Sequence, residues 1–204
     1  ELFPTTSEII SISAFYKRFQ HPIERVINTS AQNLELNYRN VDEAFLYGAE
    51  FEFRKELGFM GGWAENFRAA GNLTLIQSQL DIAEQEYQLM LAQDPEASPT
   101  RQMFGQSPYT VNGELAYQND SLGCSAAVNY NVYGARISTV TIGATPNVFD
   151  QPQPRLDATI TKSIGKNMSV RIRGRNLLNP ARQQTQTFKG QEFVYQSFRS
   201  GRVY

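Results

Sequence analysis

The feature that most constrains this chain is a two-residue alternation, clearest near its end. Met168, Val170, Ile172 and Gly174 are apolar or small, and Ser169, Arg171, Arg173 and Arg175 between them are polar or cationic. Successive side chains of a strand point to opposite faces, so the stretch predicts a strand with one apolar face and one basic face. Asn176-Leu177-Leu178-Asn179-Pro180 stops it. A long polar and aromatic loop follows, through Lys189-Gly190-Gln191-Glu192 and Phe193-Val194-Tyr195-Gln196. Phe198-Arg199-Ser200-Gly201-Arg202 then opens a further extended run, left unfinished at Tyr204.

The same alternation recurs upstream. It places Ile10, Ile12, Ala14 and Tyr16 on one face of a strand that His21-Pro22 ends, and Tyr47, Ala49, Phe51 and Phe53 on one face of the next. It continues with Phe67, Ala69, Gly71, Leu73 and Leu75, with Tyr109, Val111, Gly113, Leu115 and Tyr117, with Cys124, Ala126, Val128, Tyr130 and Val132, and with Leu156, Ala158 and Ile160. Between strands, Val26-Ile27 and Leu34-Leu36 predict a short hairpin in a loop from Gln20 to Ala44. Ile82 to Met90 predicts a short helix before Asp94-Pro95, and Ile137 to Pro154 reads as a Gly/Pro/Thr loop.

The connections alternate in length. Those near Gly58, Asn119 and Gly165 are short, and those near Gln20, Asp81, Thr141 and Pro180 are long. Short turns at one end of a strand series and long loops at the other are the pattern of an outer-membrane barrel. Strand segments of about ten residues suffice to cross a bilayer at a tilt, whereas strands of soluble proteins average about 5–6 residues. The expected fold is therefore all-β, an antiparallel transmembrane β-barrel segment occupying residues 1–204 as one partial domain. Its lipid-facing set is Ile10, Ile12, Phe51, Phe53, Leu73, Leu115, Val128 and Ile172. Its lumen- or plug-facing set is Lys17, Glu50, Glu52, Arg54, Arg68, Glu114, Asp157, Arg171, Arg173 and Arg175.

Composition bears on the function classes. A net charge of −1 gives no global attraction to nucleic acid. Ten Tyr and thirteen Phe suit strands. One cysteine, Cys124, excludes an internal disulfide framework, and one histidine, His21, leaves little room for a zinc site or a His-dependent triad. No apolar run approaches the ~20 residues of a membrane helix, which says nothing against strands that alternate lipid and lumen faces.

Several motifs together resemble a family. Arg175-Asn176-Leu177-Leu178-Asn179-Pro180 is similar to the signature near the end of TonB-dependent outer-membrane receptors, and Tyr47-Gly48-Ala49-Glu50-Phe51-Glu52 resembles one of their barrel strands. Gly105-Gln106-Ser107-Pro108-Tyr109 and Gly190-Gln191-Glu192-Phe193-Val194-Tyr195 resemble the Bacteroidetes-type group, in which a carboxypeptidase-like regulatory domain often precedes the plug. The resemblance covers essentially the whole chain. It implies roughly the last eight strands of a barrel of about 22, the last one incomplete. It also implies that the plug, the TonB-box segment and the aromatic residue ending the final strand are not part of this sequence, so no energy-coupling residue is carried onto it.

The function implied is TonB-coupled import, across the bacterial outer membrane, of a scarce large solute: a ferric siderophore, a corrinoid, an oligosaccharide or a peptide. The implied partners are outer-membrane lipid, the plug and remaining barrel strands, the TonB complex and a surface lipoprotein, with no nucleic acid. Loop length and aromatic content single out residues 79–103 and 183–197 for ligand or partner contact. Two other classes stay open: a structural or assembly barrel that scaffolds surface partners, and a soluble carbohydrate-binding β-sandwich whose apolar faces would be buried.

No catalytic, cofactor or metal set emerges, and the chain is not read as an enzyme. The row Arg171, Arg173, Arg175 has three readings: ion pairs in the lumen, direct substrate contact, or a nucleic-acid patch, the last disfavoured by the lipid-like opposite face. Tyr16, Phe19, Tyr47, Phe67, Tyr109, Tyr117 and Tyr130 lie near strand ends and suit interfacial girdles. Cys124 lacks a base and reads as packing; His21 reads as a loop residue. Asp81, Glu84, Glu86, Asp94 and Glu96 match no calcium loop of defined ligand order. Gly58 to Trp63 lacks the Lys-Ser/Thr of a phosphate loop.

Overall fold

The structure, a computed structural model, describes residues 1–28, 35–142 and 145–204. In chain order its strands are β1 (Ile9–Gln20), β2 (Ile23–Asn28), β3 (Glu35–Asn40), β4 (Glu43–Glu56), β5 (Phe67–Asp81), β6 (Thr100–Arg101) and β7 (Tyr109–Asn119). They continue as β8 (Cys124–Tyr133), β9 (Arg136–Ile142), β10 (Val148–Asp150), β11 (Arg155–Ile164), β12 (Met168–Gly174), β13 (Arg182–Phe188) and β14 (Gln191–Phe198). One helix, α1 (Glu84–Leu91), stands between β5 and β6.

Two sheets result. In the first, β1-β4-β5-β7-β8-β11-β12 form an antiparallel meander, with β6 added to β5. It is an open sheet among the described residues. The second, in the order β14-β13-β10-β9-β2-β3, is assembled from the long connections at one end of the meander. Its links are antiparallel except that β2 runs parallel to β9, with Val26 opposite Val140.

A single register keeps the alternation in phase across the meander. Phe51 stands opposite Ile12 and Leu73, Leu115 opposite Val128, and Ile160 opposite Ile172. Glu52 stands opposite Ser11 and Asn72, and Asn112 opposite Asn72 and Asn131. A slip of one residue at any pair would move a whole strand's apolar set to the polar side. All eight residues of the expected lipid-facing set fall on one face, and Lys17, Glu50, Glu52, Arg54, Arg68, Glu114, Asp157, Arg171 and Arg173 fall on the other. Arg175 lies just past β12, in an isolated antiparallel bridge with Val203.

The apolar face is not a core. Ile12 is 73% exposed, Leu115 46% and Ile172 67%. The buried apolar clusters lie instead at the long-loop end. One joins Val26, Ile137 and Val140, with Phe104, Ile142 and Phe149 packed on it. The other joins Val41, Ala44 and Leu80, with Phe19 and Met103 against them. Ala44 is paired with Phe19 and Leu80, in phase with the polar face, so that face turns apolar where the loops fold over it.

Three expectations need correction. Residues 137–154 are not an irregular loop, since β9 and β10 lie there. Residues 183–197 are not a loop either: they form most of the β13–β14 hairpin. Phe19 is not a girdle residue, because it lies in phase with the polar side and packs with Ala44 and Leu80. The hairpin expected from Val26-Ile27 and Leu34-Leu36 is present, with Ile27 opposite Leu36; Leu34 lies outside the described residues. The helix expected at 82–90 is found at Glu84–Leu91.

Candidate functional site

The polar face of the meander is built from polar and charged side chains held in place by the pleat. At its centre is an amide ladder. Asn131 Nδ2 donates to Asn112 Oδ1 at 2.6 Å, and Asn112 Nδ2 donates to Asn72 Oδ1 at 2.6 Å. Charged pairs flank it: Arg68 meets Glu114 at 3.4 Å, and Arg155 meets Asp157 at 3.0 Å. Glu52, Arg54, Arg68, Glu114, Arg155 and the ladder line one concavity of about 830 Å³. The structure thus brings five of the ten expected lumen residues, Glu52, Arg54, Arg68, Glu114 and Asp157, around that hollow. Lys17, Glu50, Glu52 and Arg54 have no ionic partner among the described residues. Arg171 donates to Thr161 Oγ1 at 3.3 Å, and Arg173 makes no ion pair among them.

The Arg-Asn-Leu-Leu-Asn-Pro run has a structural task. Asn176 and Asn179 take left-handed φ values of 54° and 45°, which Asn tolerates better than most residues. Asn176 N–H donates to Asp157 Oδ1 at 2.8 Å, and its side-chain amide donates to the Gly201 carbonyl. Gly201 N–H donates in turn to Asn179 Oδ1 at 3.1 Å. The motif ends β12 and returns the chain so that Val203 pairs with Arg175.

The loop layer carries the most buried charge. Glu24 on β2 accepts from Arg39 Nε on β3 at 2.8 Å and from the Arg101 guanidinium on β6 at 2.6 Å. Arg39 also donates to Glu86 on α1 at 2.6 Å. The side chains of Glu24 and Arg101 are 4% and 7% exposed. Burial disfavours the Arg39 cation, but the hydrogen bonds it donates to Glu86 and Glu24 outweigh it and raise its pKa above the usual arginine value. A second centre is Asp150, with Arg136 and Arg182 each at 3.8 Å and Gln184 donating at 2.7 Å. These two centres tie the first long connection to the second and β9–β10 to β13. Neither was read in the sequence, because partners such as Glu24 and Arg101 lie 77 residues apart.

The apolar face carries aromatics at both ends. Tyr16 pairs with Tyr47 toward the long loops, and Phe67 pairs with Tyr117 toward the short turns. The β7 residues Tyr109 and Tyr117 mark both levels on one strand. Their eight steps at ~3.4 Å each span roughly 27 Å. A strand tilt of about 40° reduces this to roughly 21 Å, close to the ~25 Å apolar band of outer-membrane barrels.

Comparison with known proteins now bears on this geometry. The family described as TonB dependent receptor-like, beta-barrel matches residues 2–177. The chain belongs to that family. It is accordingly a β-barrel protein of the bacterial outer membrane, in a family of receptors and transporters. No curated protein matches it. The TonB-dependent receptor barrel meets outer-membrane lipid outside and encloses its plug inside, and the family works with the TonB complex. Among the described residues no cluster of three or more His, Cys, Asp or Glu is placed to hold a metal ion.

Proposed function

We propose that this chain is a C-terminal part of the barrel wall of a receptor that imports a scarce large solute with energy delivered through TonB. The observation that carries the reading is the in-phase apolar face left open to its surroundings. Burying one Val, Leu, Ile or Phe side chain is worth about 1.5–3 kcal/mol. The lipid-facing set alone, roughly half exposed, would forgo on the order of 10 kcal/mol in water. That rivals the whole net stability of a typical domain, about 5–15 kcal/mol. Hydrocarbon removes the cost.

The edges support the same reading. Among the described residues, the outer sides of β1 and β12 pair only at Leu2 with Ile10 and at Val203 with Arg175. Unpaired backbone groups are not tolerated in lipid, so further strands of the same barrel, about 22 in all, close both edges. Residues 1–204 then act as one partial barrel domain. Lys17, Glu50, Glu52, Arg54 and Arg173, which make no ion pair among the described residues, face a plug or solute path of complementary charge. The finer placement in the Bacteroidetes-type group rests on Gly105–Tyr109 and Gly190–Tyr195, and a surface lipoprotein is a partner that placement would add.

The solute is a siderophore, corrinoid, oligosaccharide or peptide, admitted through a vestibule of which the loop sheet is one wall. Uptake by cells carrying the full gene tests this. Deleting residues 81–99 should abolish uptake of the cognate solute while the receptor remains in the outer membrane. Unchanged uptake would remove that loop from the solute path, and uptake of no solute by the parent receptor would favour a scaffold barrel instead.

A further inference from the structure

The Leu57–Asn66 connection differs from the other short turns. It is longer, and it is folded. Leu57 N–H donates to Phe67 O and Met60 N–H to Leu57 O, both at 2.9 Å, and Ala64 N–H donates to Gly61 O at 2.8 Å. Two 3-10 turns, Gly58–Met60 and Gly62–Ala64, meet at Gly61, whose φ of 120° is open chiefly to glycine. Ala64 is fully buried beneath them. This small scaffold holds its large apolar side chains outward: Phe59 is 71% exposed, Met60 52% and Trp63 69%. Turn residues in water are ordinarily polar or small, so a built turn that displays three large apolar groups calls for a cover.

The turn continues the outer aromatic belt. The Trp63 ring centroid is 6.2 Å from that of Phe67, edge-on, and Phe67 is 4.9 Å from Tyr117. Phe67 and Tyr117 are paired on the apolar face. Lys55, also on that face, ends its strand region with Nζ 2.7 Å from Glu8 and 5.6 Å from the centre of the Phe59 ring, which fixes the ring beside a cation. At neighbouring positions of the same rim Leu122 and Met168 are 59% and 66% exposed, and Lys166 is exposed.

We infer that the Leu57–Asn66 turn is a lipid-binding foot: Phe59, Met60 and Trp63 insert into the headgroup–acyl boundary of the phospholipid leaflet at the short-turn end. Distance decides the depth. Headgroup layers bring the bilayer from ~30 Å of hydrocarbon to about 40–45 Å, roughly 5–8 Å per leaflet. A ring 6.2 Å from the belt stays inside that layer. Indole, apolar with one N–H to satisfy, is suited to it. Lysines with exposed ammonium heads, such as Lys166, meet lipid phosphate at the same level. The competing occupant is a protein surface, either the receptor's own plug or a partner below the barrel.

This inference rests on the outward, lipid-facing reading of the apolar face, and the test separates the two. The full-length receptor is reconstituted in phosphatidylcholine vesicles whose acyl chains are brominated either close to the headgroup or near the bilayer centre. The emission of Trp63 is taken as the parent signal minus that of Trp63→Phe. In a Trp63→Phe background, Leu115→Trp places a probe within the belt itself. The expected result is that the Trp63 signal is quenched several-fold more by head-proximal bromines than by aqueous iodide, and Leu115→Trp most by central bromines. A Trp63 signal quenched by iodide alone, or by neither agent, overturns the foot and leaves the barrel wall standing if Leu115→Trp is still lipid-quenched. Iodide quenching of Leu115→Trp would overturn the barrel reading itself.

Discussion

The buried charge network of the loop layer gives the strongest single perturbation. In Arg101→Met the side-chain stem keeps its packing but the guanidinium is lost, and among the described residues Glu24 keeps only Arg39 as a cationic partner. The Glu24 carboxylate is 4% exposed and Arg101 was 7% exposed, so water cannot replace the missing donor. Breaking a buried pair from one side costs about 3–5 kcal/mol. At about 1.4 kcal/mol per tenfold, local opening of the loop layer becomes a hundredfold to a few thousandfold more frequent. Hydrogen exchange on the full-length receptor reads this directly. Amides of β2, β3 and α1 should exchange faster by that factor, while those of β5 and β7 in the meander keep their rates. Arg101→Lys should fall between, since one ammonium cannot reproduce the fork geometry. Unchanged exchange in β2 and α1, or equal loosening of the meander, would refute the claim that this network is what ties α1 to the β2–β3 hairpin.

Two further expectations follow from local geometry. At Gly48 an added Cβ would come 2.2 Å from Leu75 O and 2.7 Å from the Phe15 ring, whereas at Gly113 it would meet nothing within 4 Å. Gly48→Ala should therefore destabilise the barrel by about 1–3 kcal/mol or more and Gly113→Ala should change it by less than about 0.5 kcal/mol, as measured by the denaturant midpoint of the folded receptor; equal effects would contradict the register. Glu8, buried at the start of β1, is held below its ordinary carboxylate range mainly by a hydrogen bond from Lys55, against desolvation. A lowered folded pKa stabilises fully above the unfolded value of 4.5 and loses that contribution as pH falls through the folded value. Glu8→Gln should thus flatten the fall in melting temperature on acidification below pH 4.5, and an unchanged slope would exclude Glu8 as a contributor.

The meander was legible because a strand with two different solvents must alternate. Phe51 and Glu52, or Leu115 and Glu114, announce opposite faces without any tertiary information. The loop layer was not legible for equally physical reasons. β13, Arg182-Gln183-Gln184-Thr185-Gln186-Thr187-Phe188, has no apolar face to read, yet it is held by β10 on one side and β14 on the other. β2 pairs with β9 in parallel across more than a hundred residues of chain, with Val26 opposite Val140. Nothing local encodes such a partner. Phe19 misled because alternation fixes a side but not what covers it: on the inner face it is met by Met103 and Leu80 rather than by water.

The central claim is that one face of the meander touches hydrocarbon and the other looks into an enclosed interior. Spin labels placed singly at residues 111 to 117 of β7, in the full-length receptor reconstituted in bilayers, test it most directly. Collision rates with oxygen, which partitions into lipid, should peak at Val111, Gly113, Leu115 and Tyr117 and fall at Asn112, Glu114 and Ala116. Oxygen and a water-soluble relaxant rising and falling together along β7, with no two-residue period, would contradict the account.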